Sequence, residues 1–367
     1  LGFRKKWSCY LFFFAMSMLL TSCNNSQVIN QIELVQTAGF DLDNQTVLSS
    51  ALIGEYKEKE KTNVKLLKTI SNNSYNMIPL LNLKSNNPIK YGQMRMMLFG
   101  ADYATHNIGP ILKFLAQDVS ISGNLNLAVS KNKASELLAA TIPAHDPLFL
   151  MKMINQNSDT ANLPYTDLQT TLYNFFDEGR DTYLPLFSWD ADKKPQIDGI
   201  VLFKDDKDGK LISQKSNEDA LWLKMLVENS KNGNFMFPLE DAKNDNEKYA
   251  FVQIIESKTN FTPIPTKAVS QQLYGLDINI NVKLQIKGTL PITENNQLQT
   301  MLETYISKEL EHFIQSCLSA NIDPVGFGSF LRSKTRGWNA SEFYEVYPSM
   351  KTNVITKVQI VKAGIQK

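Results

Sequence analysis

The chain has 367 residues, with 38 Lys and Arg against 37 Asp and Glu, a net charge of +1. That balance excludes a nucleic-acid binder driven by electrostatics. An apolar share of 43% with 10% aromatics excludes a disordered chain, and the length asks for two or three cores.

In chain order, the first element is a targeting signal. Arg4-Lys5-Lys6 precedes an apolar run from Trp7 to Leu20, followed by Leu20-Thr21-Ser22-Cys23. A basic block, an apolar run too short to span a bilayer and a small residue before a cysteine fit a lipoprotein signal peptide. Cleavage is expected between Ser22 and Cys23. The Cys23 thiol would then take an S-diacylglyceryl group and its amine an N-acyl (palmitate-type) chain. Several acyl chains hold a protein on a membrane where one alone binds marginally. The alternative is an ordinary secretory signal with a cysteine nearby. Removing residues 1–22 takes away three basic residues and no acid, so the balance turns from +1 to −2. Cys9 leaves with the signal and Cys23 is acylated, so Cys317 has no intramolecular disulfide partner. No later apolar run is long enough for a transmembrane helix.

Residues 23–30 read as a short polar tether. In 31–190, strands are predicted at Val47–Tyr56, Lys65–Ile70, Met94–Phe99 and Leu125–Val129, the last half-buried by its alternation. Helices are predicted at Ile111–Ala116, Lys133–Ala140 and Tyr165–Glu178, where Leu168, Leu172, Phe175 and Phe176 share one face. In 191–265, Ile197–Phe203 and Leu211–Ser213 flank the hairpin signal Asp206-Lys207-Asp208-Gly209. A helix over Asn217–Asn229 and a strand over Tyr249–Ser257 follow. In 266–367, Leu276–Ile286 alternates as a strand wet on one face. A long helix carries Leu298, Met301, Leu302, Tyr305, Leu310, Phe313, Cys317 and Leu318. Asp323 to Gly328 is turn-rich, and Val354–Val361 alternates again. The pattern is α+β: mixed, largely antiparallel sheets with packed helices in three domains behind the signal.

Candidate chemistry is sparse. His106, His145 and His312 are isolated and form no metal motif. Asp205, Asp206 and Asp208 fail calcium-loop spacing, with Lys204 and Lys215 at the positions for the first Asp and the Glu. Gly326-Phe327-Gly328 follows a helix, and Leu331 stands where a dinucleotide loop needs glycine, so it reads as a turn. Ser329 is in no nucleophile elbow. Cys317 sits on an apolar helical stripe and reads as core. Trp189, Trp222 and Trp338 are either core or the walls of a ligand cleft. No catalytic, cofactor-binding or metal-binding residues are assigned, and an enzyme is not expected.

Several short motifs, in order, carry a resemblance. They are Gln31-Ile32-Glu33-Leu34-Val35 through Gly39-Phe40-Asp41, and Lys90-Tyr91-Gly92-Gln93-Met94-Arg95 through Phe99-Gly100-Ala101-Asp102-Tyr103-Ala104. Gly109-Pro110-Ile111-Leu112-Lys113-Phe114-Leu115 follows, then Val129…Lys133-Ala134…Leu137-Leu138. Tyr183-Leu184-Pro185-Leu186, Asp198-Gly199-Ile200-Val201-Leu202-Phe203-Lys204 and Asp323-Pro324-Val325-Gly326-Phe327-Gly328 with Trp338 complete the set. The chain resembles the Ger(x)C or GerAC family of spore germination lipoproteins over nearly its whole length. The family's Arg-Asp-Pro-Glu is replaced by Gln117-Asp118-Val119-Ser120, and its tryptophan after the lipid cysteine is absent. The resemblance implies a C subunit of a nutrient germinant receptor on the outer face of the spore inner membrane. It also implies a polytopic A subunit and a transporter-like B subunit as partners, without cofactor or nucleic acid. The competing readings are a solute-binding lipoprotein of an uptake system and, with no motif behind it, a cell-wall hydrolase.

Replacing Cys23 with Ser is expected to move the protein from the detergent phase to the aqueous phase in a cloud-point partition of membranes. Retention in the detergent phase would refute the anchor.

Overall fold

The computed structural model describes residues 32–55, 63–204, 209–239, 248–264, 275–287 and 295–361. Ser22, Cys23, the tether and Asp205, Asp206 and Asp208 lie outside these residues. The first strands, β1 (Glu33–Asp43), β2 (Thr46–Glu55) and β3 (Asn63–Ser71), form an antiparallel meander. Helix α1 (Met77–Asn82) and the short β4 (Ile89–Lys90) lead to β5 (Met96–Gly100). Helices α2 (Ala101–His106) and α3 (Gly109–Gln117) connect β5 to β6 (Asn126–Ser130). Next come α4 (Ala134–Thr141), α5 (Phe149–Thr160), α6 (Leu168–Phe176) and β7 (Tyr183–Trp189). They are followed by β8 (Pro195–Lys204), β9 (Lys210–Lys215), α7 (Asn217–Val227), β10 (Asn234–Pro238) and β11 (Tyr249–Pro263). The chain ends with β12 (Gly275–Lys287), α8 (Asn295–Ser319), α9 (Phe327–Lys334), α10 (Ala340–Val346) and β13 (Lys351–Ile360).

The strands make two sheets. The first has nine strands in the order β3-β2-β1-β5-β6-β7-β8-β9, with β4 pairing β1; the second is β10-β11-β12-β13. The class is α+β, as the sequence predicts, with mixed pairing in both sheets. The centre of the first sheet is parallel: β1, β5, β6 and β7 run together, and antiparallel pairs flank them. Parallel strands need crossovers, and the helices between β5, β6 and β7 supply them. They also cover both faces of the sheet. This is why all five residues of β6 are buried, where alternation predicts a half-buried strand. Met97 and Phe99 of β5 face a core built with α1, α2, α3 and α6. Met96 and Leu98 face the other core, which contains residues of α4, α5 and α7 and continues into the second sheet and α8.

The expected boundaries at 190 and 265 both meet hydrogen-bonded ladders. Trp189 pairs with Pro195 across the first, and Pro263 pairs with Leu276 across the second. Segment 191–265 thus gives β8 and β9 to one sheet and β10 and β11 to the other, because strand pairing is satisfied between neighbours in space rather than within one stretch of sequence. Helix α7 lies between the sheets. Every residue from Ala220 to Leu226 is buried, Lys224 included, so beyond its exposed first turn the helix has no wet face. Lys224 Nζ donates to the carbonyls of Ser158 (2.6 Å) and Ala161 (2.9 Å) at the end of α5 and sits 3.7 Å from Glu228. Burial lowers its pKa, and Glu228 opposes that shift. A Ser216 capping box with Asp219 starts the helix.

Phe313 of α8 is fully buried in the continuous core. Phe313→Ala is expected to lower the unfolding free energy by about 3–5 kcal/mol in urea titrations of the purified chain.

Candidate functional site

The turn-rich stretch after α8 docks against the stretch between α6 and β7. Three backbone-directed bonds join them. Asp181 N–H donates to Asp323 O (2.8 Å), Asp323 N–H donates to Asp181 Oδ2 (2.6 Å), and Ser329 N–H donates to Gly179 O (2.8 Å). The Asp323 carboxylate is fully buried and closes its own turn. Oδ1 accepts from Gly326 (2.8 Å) and Phe327 (3.0 Å), and Oδ2 accepts from Gly328 (2.8 Å). Burial pushes the Asp323 carboxyl up to about 7; nearby Asp181 adds to the rise, while the three amides oppose it. Tyr347, also fully buried, donates to Ile322 O at 3.0 Å.

Glycine is required where the two stretches touch. Gly179 has φ +89°, and a Cβ there would lie 2.6 Å from the Gly328 carbonyl carbon. At Gly328 a Cβ would lie 2.7 Å from Gly179 Cα. Gly326, at φ +85°, leaves room for the Arg180 guanidinium, which a Cβ would meet at 2.5 Å. Flanking ion pairs extend the seam. Lys204 Nζ lies 3.2 Å from Asp181 Oδ2 and 3.5 Å from the Tyr344 ring centroid. Arg332 pairs with Asp177 at 2.5 Å and donates to Glu178 O at 3.1 Å.

Beside this seam opens a cleft of about 600 Å³, lined by Phe175, Phe176, Arg180, Lys204, Tyr344 and Lys113 among others. Phe176, expected on the buried face of α6, is 56% exposed because the helix ends there and the chain turns into the seam.

The other sequence candidates are dispersed. His106, His145 and His312 are exposed. Among the described residues no cluster of His, Cys, Asp and Glu could hold a metal ion. Cys317 is buried, as expected, and burial pushes its thiol up to about 12. Lys215 donates to Ser316 Oγ of α8 at 2.8 Å, tying β9 to that helix. Trp222 is core, and Trp189 and Trp338 pack partly buried against it, so none lines the seam cleft. Gln117 ends α3, and Asp118 accepts from Ser120 after it. The Gly326-Phe327-Gly328 turn is present and opens on Asp323 as expected, but the sequence reading gave Asp323 no partner role, took Gly179 only as a helix stop and missed Arg180 and Asp181. A lone Asp before a Gly-x-Gly turn is the local signal for the carboxylate; Gly179 is legible as a helix stop, and nothing local points to Arg180 and Asp181 as its partners. The Gly39-Phe40-Asp41 stretch has a similar task. Asp41 on β1 accepts from the amides of Ala134 (2.5 Å) and Ser135 (2.9 Å), fixing the start of α4.

Fold and seam together define an α+β protein of two sheets locked through one buried carboxylate turn. Two family models match it: "Spore germination protein N-terminal domain" over residues 25–188 and "Spore germination B3/GerAC like, C-terminal" over residues 198–364. The chain belongs to the GerAC-like family of spore germination proteins. It is 24% identical to the spore germination protein GerQC of Bacillus cereus, over 98% of this chain and 99% of that one. Its fold is similar to the crystal structure of the GerBC protein, with a TM-score of 0.57 at 13% identity, over 88% of this chain and 97% of that one.

Gly179→Ala is expected to destabilise the protein by about 2–4 kcal/mol, combining left-handed backbone strain with overpacking. Gly337→Ala is the control, since its φ is +76° with nothing within 4 Å. It should lose only about 1–2 kcal/mol, the backbone component alone. Equal losses in thermal unfolding would mean that the Gly179–Gly328 approach is not close.

Proposed function

We propose that this chain is the lipid-anchored C subunit of a spore nutrient germinant receptor, required for receptor assembly and nutrient-triggered germination and acting without catalysis. The observation that carries it is the ordered match of both GerAC-like family models along nearly the whole chain. The signal and Cys23 would put the protein on the outer face of the spore inner membrane, with residues 23–30 as tether. There it would join a membrane-embedded A subunit and a transporter-like B subunit. Anchoring confines partners to the same surface and raises their effective concentration without any new contact.

The geometry supports a scaffold. Segment 191–265, which feeds both sheets, would be the connecting unit between a GerAC-like part at 31–190 and another at 266–367. The seam and α7 would let the two parts present their surfaces as one body.

Deleting the gene and scoring dipicolinate release over a nutrient panel tests this, with calcium dipicolinate as a receptor-independent trigger. Loss of response to one nutrient class with the control intact is expected. Affinity capture of the tagged chain from detergent-solubilised spore membranes should recover A and B subunits. A normal response to every nutrient together with empty capture would overturn the assignment.

A further inference from the structure

The seam cleft holds a cation that packs on the seam turn but pairs with no described carboxylate. Lys204 is engaged by Asp181 and by the Tyr344 ring. Asp177 is engaged by Arg332. Arg180, on the same wall, has no carboxylate partner among the described residues. Its Nε is closed off from solvent without a hydrogen-bond partner. The guanidinium lies close against Gly326, and the Tyr173 ring centroid is 5.4 Å from its Cζ. These contacts restrain it by packing, and the planar fork of a guanidinium is matched to a carboxylate. Aromatic side chains supply the apolar part of the adjoining surface. Phe175 and Phe176 meet edge to face at 5.1 Å, and Tyr344 stands on the C-terminal side of the cleft. The cleft, of about 600 Å³, has aromatic walls, and its charged lining is Arg180, Lys113 and Lys204 with Asp177, Glu178 and Asp181; aromatic walls with a few convergent polar groups are how a small-molecule site is built.

We propose that this cleft binds a small apolar carboxylate, aromatic or branched, with its carboxylate on Arg180 and its apolar body against Phe175, Phe176 and Tyr344. Arg180 and the two phenylalanines precede β7, whereas Tyr344 belongs to α10. A bound ligand therefore touches both sides of the seam and stabilises their docked arrangement, since a ligand stabilises the state that binds it. The inference stands apart from the receptor assignment, because binding is measured on the purified chain, and failure here leaves the germination phenotype untouched.

The test is calorimetry and saturation-transfer NMR on the whole chain in detergent, with phenylacetate as probe and phenethyl alcohol as its uncharged counterpart. Phenylacetate is expected to bind and to raise the melting temperature, with the alcohol about tenfold weaker or more, the effect of losing one charge-assisted contact. Arg180→Met should remove that preference, and Arg180→Lys should restore part of it. Phe176→Ala, at a half-exposed position, should weaken acid and alcohol alike. No binding at millimolar phenylacetate, or equal affinity for acid and alcohol in the unaltered chain, overturns the proposal. The acid-against-alcohol comparison needs no variant, so it decides even if Arg180→Met fails to fold.

Discussion

The arrangement of the whole molecule depends on one buried carboxylate. Asp323 is withdrawn from water, where a charged group without partners is strongly disfavoured, and three consecutive backbone amides satisfy it. Those bonds tighten residues 323–328 into a turn whose glycines present bare backbone. Bare backbone allows the turn to meet Gly179 closely enough for amide-to-carbonyl bonds across the seam. A side chain on either side would force the two apart. The carboxylate, the glycines and the cross-seam ladder are therefore one device, and removing any part leaves buried groups unsatisfied.

Helix α7 is the second joint, built on a different principle. Beyond its first turn it is buried on all sides, so its placement comes mainly from core packing. Its one buried cation is directed at the carbonyls ending α5, where the helix dipole places negative partial charge. The first sheet, α7, the second sheet and α8 share a continuous core. Relative motion of the sheets would have to break both the packing and the polar seam. For a protein whose proposed work is to hold membrane partners in place, such coupling is what a scaffold needs. The seam cleft adds a cavity next to that coupling, where a bound molecule meets both halves.

Several features were legible in the sequence because they are local. Alternation pointed to β12 and β13, local strand patterns to β2 and β3, the hairpin signal to β8, and helical patterns to α4, α7 and α8. Cys317 sits in the stripe that its neighbours predict. The strand β1 escaped because it is buried over most of its length, and continuous burial erases the period-two signal. Helix α5, with Phe149–Thr160 mostly polar at its end, offered no cap or stop to read. The two sheets and the parallel centre of the first were not legible, since strand partners are chosen over long separations.

By itself the sequence determined the α+β class and the ordered family motifs, because each depends on residues close together in the chain, and the expected targeting signal rests on the sequence alone. Only the tertiary structure decided what Asp323, Gly179 and Arg180 do. Asp181 and Asp323 are 142 positions apart, yet their backbones are hydrogen-bonded. Burial, satisfaction of polar groups and the room a glycine leaves are properties of the packed neighbourhood, and no local pattern encodes which distant segment will fill it.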